Sequence, residues 1–366
     1  MLRHASAAGL FLLGALPSLF PLAANARTIA YVSLLHENRV CVLQFDERTA
    51  QLREIGELRT PGEPAGLAVS ADGRFMFISI RSTGRLASAR IDPETGLLSL
   101  RSVVPAAADP AYLLPDPTGQ RLLAAYYVGA KISSHRILPD GVLTEGGVQW
   151  LPTAEKAHAI ALDPTGKFAI VPHTGPNAIY QFRVRDGQLT PSERPIVKTP
   201  DNSGPRHVWF HPRLPVVYAV NEQGSSVTRF DWRPRQGGLK ATQTVSTLPR
   251  GFTGRNACAD LEMTRDGEHL YASNRGDDSI AIFAVDPDDG RLSREAITAT
   301  EETPRQFSLT PNDQWLIAAG QGSGKLAVFR VDEDSGRLER RATHPVGKTP
   351  WWIVTRESPP SGQEAN

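Results

Sequence analysis

Two things are nearly missing from this 366-residue chain: cysteine and an excess of charge of either sign. Cys41 and Cys258 are its only cysteines. Two make no disulfide framework, and no Cys/His cluster has zinc spacing. We read them as separate, partly buried thiols. Forty basic residues face thirty-nine acidic ones. That balance argues against a general nucleic-acid binder and against a polybasic membrane-surface protein. Beyond the first two dozen residues no apolar run is long enough to cross a bilayer. No helix-length stretch keeps a 3.6-residue period there either. What is plentiful is glycine (31) and proline (29), as expected where many short strands alternate with turns.

The N-terminus has the form of an export signal. Arg3 and His4 make a short polar start, and an apolar run follows from Ala7 to Ala24. It ends in Ala24-Asn25-Ala26, a small-x-small cleavage pattern. Pro17 and Pro21 suit a signal better than a stable spanning helix. Residues 1–26 are therefore expected to be a signal peptide and the mature protein to be periplasmic or secreted, with no membrane association after cleavage.

The rest of the chain repeats. A short apolar run, a polar turn and a second apolar run recur at Ala65–Phe75, Ala111–Leu122, His158–Phe168, Arg206–Val216, Ala259–Leu270 and Arg305–Trp315. The turn residues Gly73, Gly119, Gly166, Leu214, Gly267 and Asp313 form one column, with separations of 46, 47, 48, 53 and 46. Another step of 46 falls just after Trp351-Trp352-Ile353-Val354, a seventh copy of the first strand. Asp-Gly and Asp-Pro-Thr-Gly provide a side-chain acceptor and a residue tolerant of positive φ, as tight antiparallel turns need. Four strands per unit at this period predict an all-β, seven-bladed β-propeller of four antiparallel strands per blade. The seventh copy stops after one strand. Ile29–Ser33, Arg39–Phe45 and Leu52–Leu58 supply the other three, so N- and C-terminal strands pair to close the ring and remove its open edge. The propeller is predicted over 27–356, with a disordered tail over 357–366.

In a propeller, residues at the start of each inner strand and in the turn after the second strand face the channel mouth. The strand-start column reads Ala65, Ala111, His158, Arg206, Ala259, Arg305 and Trp351. The second column, eight residues after the turn residue, reads Arg81, Tyr127, Thr174, Glu222, Arg275 and Gln321, with Leu35 from the closing blade. Counting the closing blade as blade one, His158, Arg206, Glu222 and Arg275 stand out on blades four to six, where small or apolar residues would satisfy structure. Arginine forks suit a carboxylate, a phosphate or a developing oxyanion. A histidine titrating near neutrality can serve as general acid or base, and a glutamate can orient either or act as base. The alternatives are a structural Arg–Glu ion pair and a histidine bonded to backbone. His173, Asn221, Arg305, Gln321 and Tyr127 are candidate substrate-binding neighbours. Strand alternation over residues 206–211 places Arg206 on one face, and His207 and His211 on the other. Both histidines read as hydrogen-bonding residues of the blade, and no metal site is expected.

These residues carry a resemblance. Gly204-Pro205-Arg206-His207-Val208-Trp209-Phe210-His211-Pro212, Ala219-Val220-Asn221-Glu222, Ser225-Ser226-Val227, Leu270 to Arg275, Leu316 to Gln321 and Gly347 to Trp351 are similar to segments of the β-propeller lactonase family. That family includes the propeller-type bacterial 6-phosphogluconolactonase and the fungal 3-carboxy-cis,cis-muconate lactonizing enzyme. The resemblance implies catalytic roles for His158, Arg206, Glu222 and Arg275, no cofactor, and a small lactone or carboxylate as substrate. It implies lactone hydrolysis, on a sugar-acid lactone for instance, with ring-closing lyase chemistry as the alternative; a non-catalytic propeller that binds a ligand or a protein partner is a third reading, since fold alone does not fix function. Export departs from the cytosolic relatives, so a phosphorylated sugar lactone is not required as substrate. A monomer or weak oligomer is expected.

Overall fold

The computed structural model describes residues 27–358. The sequence supplies seven segments that alternate short apolar runs with turns, five of them beginning at a proline. Each becomes one four-stranded antiparallel sheet, and seven such sheets make the propeller. Blade one is built from both ends of the chain: Pro350–Ser358 is its innermost strand, followed outward by Arg27–Leu34, Arg39–Asp46 and Gln51–Arg59. Val32 pairs with Ile353 and with Cys41 in this sheet, as the closing prediction requires. The closing strand runs two residues further than predicted. Thr28 pairs with Glu357 and Arg27 with Ser358, and the Ser358 hydroxyl donates to the Pro93 carbonyl at 2.9 Å. Glu357 and Ser358 thus belong to the blade, because an antiparallel partner and a side-chain acceptor were both within reach. The predicted signal peptide over 1–26, and the tail beyond Ser358, lie outside the described residues.

The inner strands of blades two to seven are Pro64–Val69, Pro110–Pro115, Ala161–Leu162, Pro205–Phe210, Cys258–Met263 and Pro304–Leu309. Proline is tolerated at the first position because an innermost edge strand has no neighbour needing that N–H. Seven buried apolar clusters fill the seven gaps between adjacent blades. The gap between blades seven and one, packed by Ile317, Val328, Val32 and Ile353, is filled like the rest. Hydroxyl staples add to this: Tyr31, Tyr218 and Tyr271 each donate, at 2.7–2.8 Å, to the carbonyl of the glycine ending an Asp-x-x-x-Gly turn of the next blade. Cys41 and Cys258 are both buried and unpaired, one in blade one and the other in blade six. Among the described residues the only helical element is a 3₁₀ turn at Leu35–Glu37.

Candidate active site

One backbone hydrogen bond recurs in all seven blades and brings the two sequence columns together. The amide of each second-column residue donates to the carbonyl two residues before the strand-start residue. The pairs are Leu35 to Thr349, Arg81 to Glu63, Tyr127 to Asp109, Thr174 to Lys156, Glu222 to Gly204, Arg275 to Ala257 and Gln321 to Thr303, at 2.7–3.1 Å. At Gly204 the acceptor residue is left-handed, with φ of 61°. Its own N–H takes the Asn177 carboxamide oxygen of blade four at 2.8 Å. A glycine adopts this conformation at little steric cost, and Asp109, Lys156, Thr303 and Thr349 take it at the same position of other blades, with φ of 55–59°.

Four strand-start residues owe their direction to a β-bulge. Register slips by one residue between Pro110 and Tyr112, Pro205 and His207, Pro304 and Gln306, and Pro350 and Trp352. The extra residues are Ala111, Arg206, Arg305 and Trp351. A bulge re-aims a side chain, so the alternation expected over 206–211 fails at its start. Arg206 and His207 are consecutive, yet their side chains meet: Arg206 Nη1 lies 3.2 Å from His207 Nε2.

A cavity of about 200 Å³ opens at this mouth. Arg81, Ala111, Tyr127, His158, Glu222, Arg275, Arg305 and Trp351 line it. All eight come from the two columns, and together they represent all seven blades. Four larger clefts, of about 410–530 Å³, lie elsewhere. Each is bounded largely by turn and outer-strand residues of only a few blades, as with Asp116, Thr118, Gly166 and Asp186. The mouth cavity, where polar groups from every blade converge, is the candidate site.

Its electrostatics are one-sided. Glu222 Oε2 is shared by Arg206 Nε at 3.0 Å and Arg275 Nη2 at 3.3 Å. Arg81 is paired with Asp109. Arg305 has no carboxylate partner among the described residues; its guanidinium lies over the Trp351 ring, 3.7 Å from the centroid, and Arg81 approaches the same ring at 4.8 Å. Burial and the neighbouring charges of Arg206, Arg275 and Arg81 push the Arg305 pKa well below its ordinary value. The site therefore holds more cation than the nearby carboxylates neutralise. His158 is 4% exposed, and its Nδ1 is buried without a hydrogen-bond partner among the described residues. Its ring lies 5.6 Å from that of Tyr127 and 5.3 Å from that of His207, between centroids. Burial, then Arg206, His207, Arg305 and Arg275, hold its pKa well below 6.5, so it is neutral at neutral pH.

The predicted residues separate into groups. His158, Glu222, Arg275, Arg305 and Tyr127 line the cavity. Arg206 does not: it is 1% exposed and sits behind Glu222, so it positions the carboxylate instead of meeting the lumen. Glu222 is committed to two arginines, and the expected support of His158 by Glu222 is not what the ion pairs show. Asn221, His173 and Gln321 also stay out of the wall. The Asn221 amide donates to the hydroxyls of Ser226 at 3.0 Å and Thr228 at 2.8 Å, anchoring the turn that presents Glu222. Asn274 does the same through Ser279, at 3.1 Å, one residue before Arg275. His173 bonds its own strand through Nδ1 and the Val171 carbonyl, at 2.9 Å, with its ring 4.3 Å from Tyr180. Gln321 follows the column in backbone, but its blade gives the cavity Arg305 in its place. His211 caps its turn as expected, accepting the amides of Arg213 and Leu214 at 3.0 and 2.9 Å. Sequence reasoning named Arg81 and Trp351 in the columns without selecting them, and it passed over Asp260. For Arg81 and Trp351 the signal is the column itself, read with the cavity in view; Asp260 lies one residue beyond its column, and no sequence signal marks it.

The family model described as "Lactonase, 7-bladed beta-propeller" matches residues 29–355. The chain belongs to this lactonase family. Among solved structures it is similar to a periplasmic gluconolactonase of Pseudomonas aeruginosa, at 26% identity and a TM-score of 0.84, over 91% of this chain and 100% of that one. A Bacteroides uniformis protein provisionally named 6-phosphogluconolactonase is 26% identical, with a TM-score of 0.82, over 90% and 99%. A Bacteroides fragilis protein of the same provisional name, at 24% identity and a TM-score of 0.83 over 92% and 99%, shares the fold. Membership of the lactonase family supports lactonase-like chemistry on a small molecule.

Proposed function

We propose that this lactonase-family propeller is an exported enzyme that hydrolyses a small lactone, such as a sugar-acid lactone, in the mouth cavity. The observation that carries the reading is a neutral, buried His158, an Arg305 without a carboxylate partner among the described residues and a carboxylate-bridged Arg275, all facing one cavity of about 200 Å³. That volume suits a single-ring ligand. His158 takes a proton from water as the water oxygen attacks the ring carbonyl. Arg305 and Arg275 stabilise the oxyanion that develops on the carbonyl oxygen. Collapse breaks the bond to the ring oxygen, which receives the proton from His158, and the hydroxy acid leaves. Glu222 and Arg206 hold Arg275 in place. Export rests on the signal-like residues 1–26 and on the similarity to a periplasmic gluconolactonase.

The test is ring opening of a lactone panel by the mature protein, followed by base uptake at constant pH. Wild-type rates above those of His158→Ala on at least one lactone are expected. Equal rates across the panel would overturn the reading. The surplus of arginine would also suit an unsaturated diacid, so loss of muconate ultraviolet absorbance with an inert lactone panel would instead favour the ring-closing lyase.

A further inference from the structure

One layer below the cavity lies a buried pair that the reaction above does not use. His207 is 4% exposed and Asp260 2%. They belong to neighbouring blades and meet at 2.8 Å, His207 Nδ1 to Asp260 Oδ1. The second Asp260 oxygen accepts the Phe307 amide of blade seven at 3.2 Å. The opposite ring nitrogen, His207 Nε2, meets Arg206 Nη1 at 3.2 Å. A guanidinium donates and never accepts. Nε2 must therefore be the acceptor, and Nδ1 must carry the ring proton and donate it to Asp260. The contacts fix one tautomer.

The same contacts place Arg206. Of the two hydrogens on its Nη1, one goes to His207 and the other to the Ala259 carbonyl, while Nε faces Glu222. The line Asp260–His207–Arg206–Glu222–Arg275 runs from the channel interior to the cavity wall. His207 is held laterally by Tyr112, Trp352 and His158, with ring centroids at 5.3, 5.9 and 5.3 Å. The charged groups acting on it are Asp260, Arg206 and Arg305. Burial, with Arg206 next, lowers its pKa to about 4 against the opposing pull of Asp260, so the neutral ring persists at neutral pH.

We propose that Asp260 and His207 are positioning residues: by fixing the His207 tautomer they hold Arg206, and through it Glu222 and Arg275, in the arrangement that faces the substrate. The bulge makes this possible, because only there can consecutive residues, 206 and 207, both turn toward the axis. The kinetic part of the proposal rests on the lactonase reading; the tautomer part does not.

Both parts can be measured on the mature chain. Asp260→Asn keeps the shape but offers one acceptor where two donors, His207 Nδ1–H and the Phe307 amide, converge. Arg206 still needs Nε2 as its acceptor, so the ring proton stays on Nδ1, where a neutral amide oxygen replaces the carboxylate and the hydrogen bond weakens. With histidine labelled in ¹⁵N, ring shifts near pH 7 are expected to show Nδ1–H at His207 in the wild type, and in Asp260→Asn an Nδ1–H proton shifted upfield by loss of the carboxylate; an unshifted proton would overturn the role of Asp260. A wild-type Nε2–H tautomer would overturn the proposal. In lactone turnover, His207→Phe keeps the ring volume and should lower kcat by about 10- to 100-fold, with KM within about 3-fold. His207→Gln can donate to Asp260 and accept from Arg206, and should recover most of the loss. Equal kcat for Phe and Gln variants at matched thermal midpoints would assign the pair to packing alone and defeat the proposal. Should the wild type open no lactone, the functional reading falls, and the tautomer still decides whether this network exists.

Discussion

Arg206 and Arg305 occupy the same position in blades five and seven. Both follow a proline and both are the extra residue of a bulge. Their situations differ completely. Arg206 is enclosed, with Glu222, the Ala259 carbonyl and His207 around it. Arg305 has no carboxylate partner among the described residues, and its charge rests against Trp351 and faces the cavity. The difference lies in the neighbours. The rim residue of blade five is Glu222, while that of blade seven is Gln321, which brings no charge. The repeat sets where a side chain points, and the adjoining column sets whether it is structural or available to a ligand.

The largest test of this contrast is stability. Arg206→Ala leaves Glu222 with one partner and a buried void, and is expected to cost about 3–5 kcal/mol in denaturant unfolding. Arg305→Ala should stay within about 1 kcal/mol, since losing the stack on Trp351 is offset by removing a desolvated cation that no carboxylate among the described residues neutralises. If the two variants unfold alike, the contrast is wrong. Activity should reverse the emphasis: Arg305→Ala is expected to fold normally and to lower kcat/KM by about 10²-fold, measured by base uptake on the best lactone.

A smaller effect is in pH. His158 acts in its neutral form, and its folded pKa lies well below 6.5. The acid limb of kcat/KM should therefore fall below pH 6.5. Arg305 is one of the charges depressing that pKa, so Arg305→Ala should move the limb toward higher pH. An unmoved limb would separate the two residues. Burial also depresses His135, His173 and His207, each to about 4. Between pH 6.5 and 4 the unfolded chain binds more protons than the folded one, so stability rises with pH there. It should be fully present above pH 6.5 and lost as pH falls toward 4, measured as thermal midpoint against pH. The smallest expected effect is Gln321→Ala, within about 2-fold of wild type in kcat/KM, because Gln321 does not line the cavity.

The ring itself was legible in the sequence. Turn residues must recur where strands reverse, and the separations of 46 to 53 residues left one way to fit seven sheets and two chain ends. The two columns that face the mouth were legible for the same reason. Which column members reach the lumen was not. Arg206 looked like a ligand-binding fork and is a buried brace; His173 and Asn221 looked like neighbours of the substrate and serve their own blade. Strand alternation could not show that residues 206 and 207 both turn inward, because a bulge is a property of pairing between strands. Nor could it show His207 meeting Asp260, 53 residues away, at 2.8 Å. The chain by itself determined how many blades there are, how they close and which positions converge. The charge left over at their meeting point was decided only in three dimensions, since ion pairing depends on distances between blades that no local pattern records.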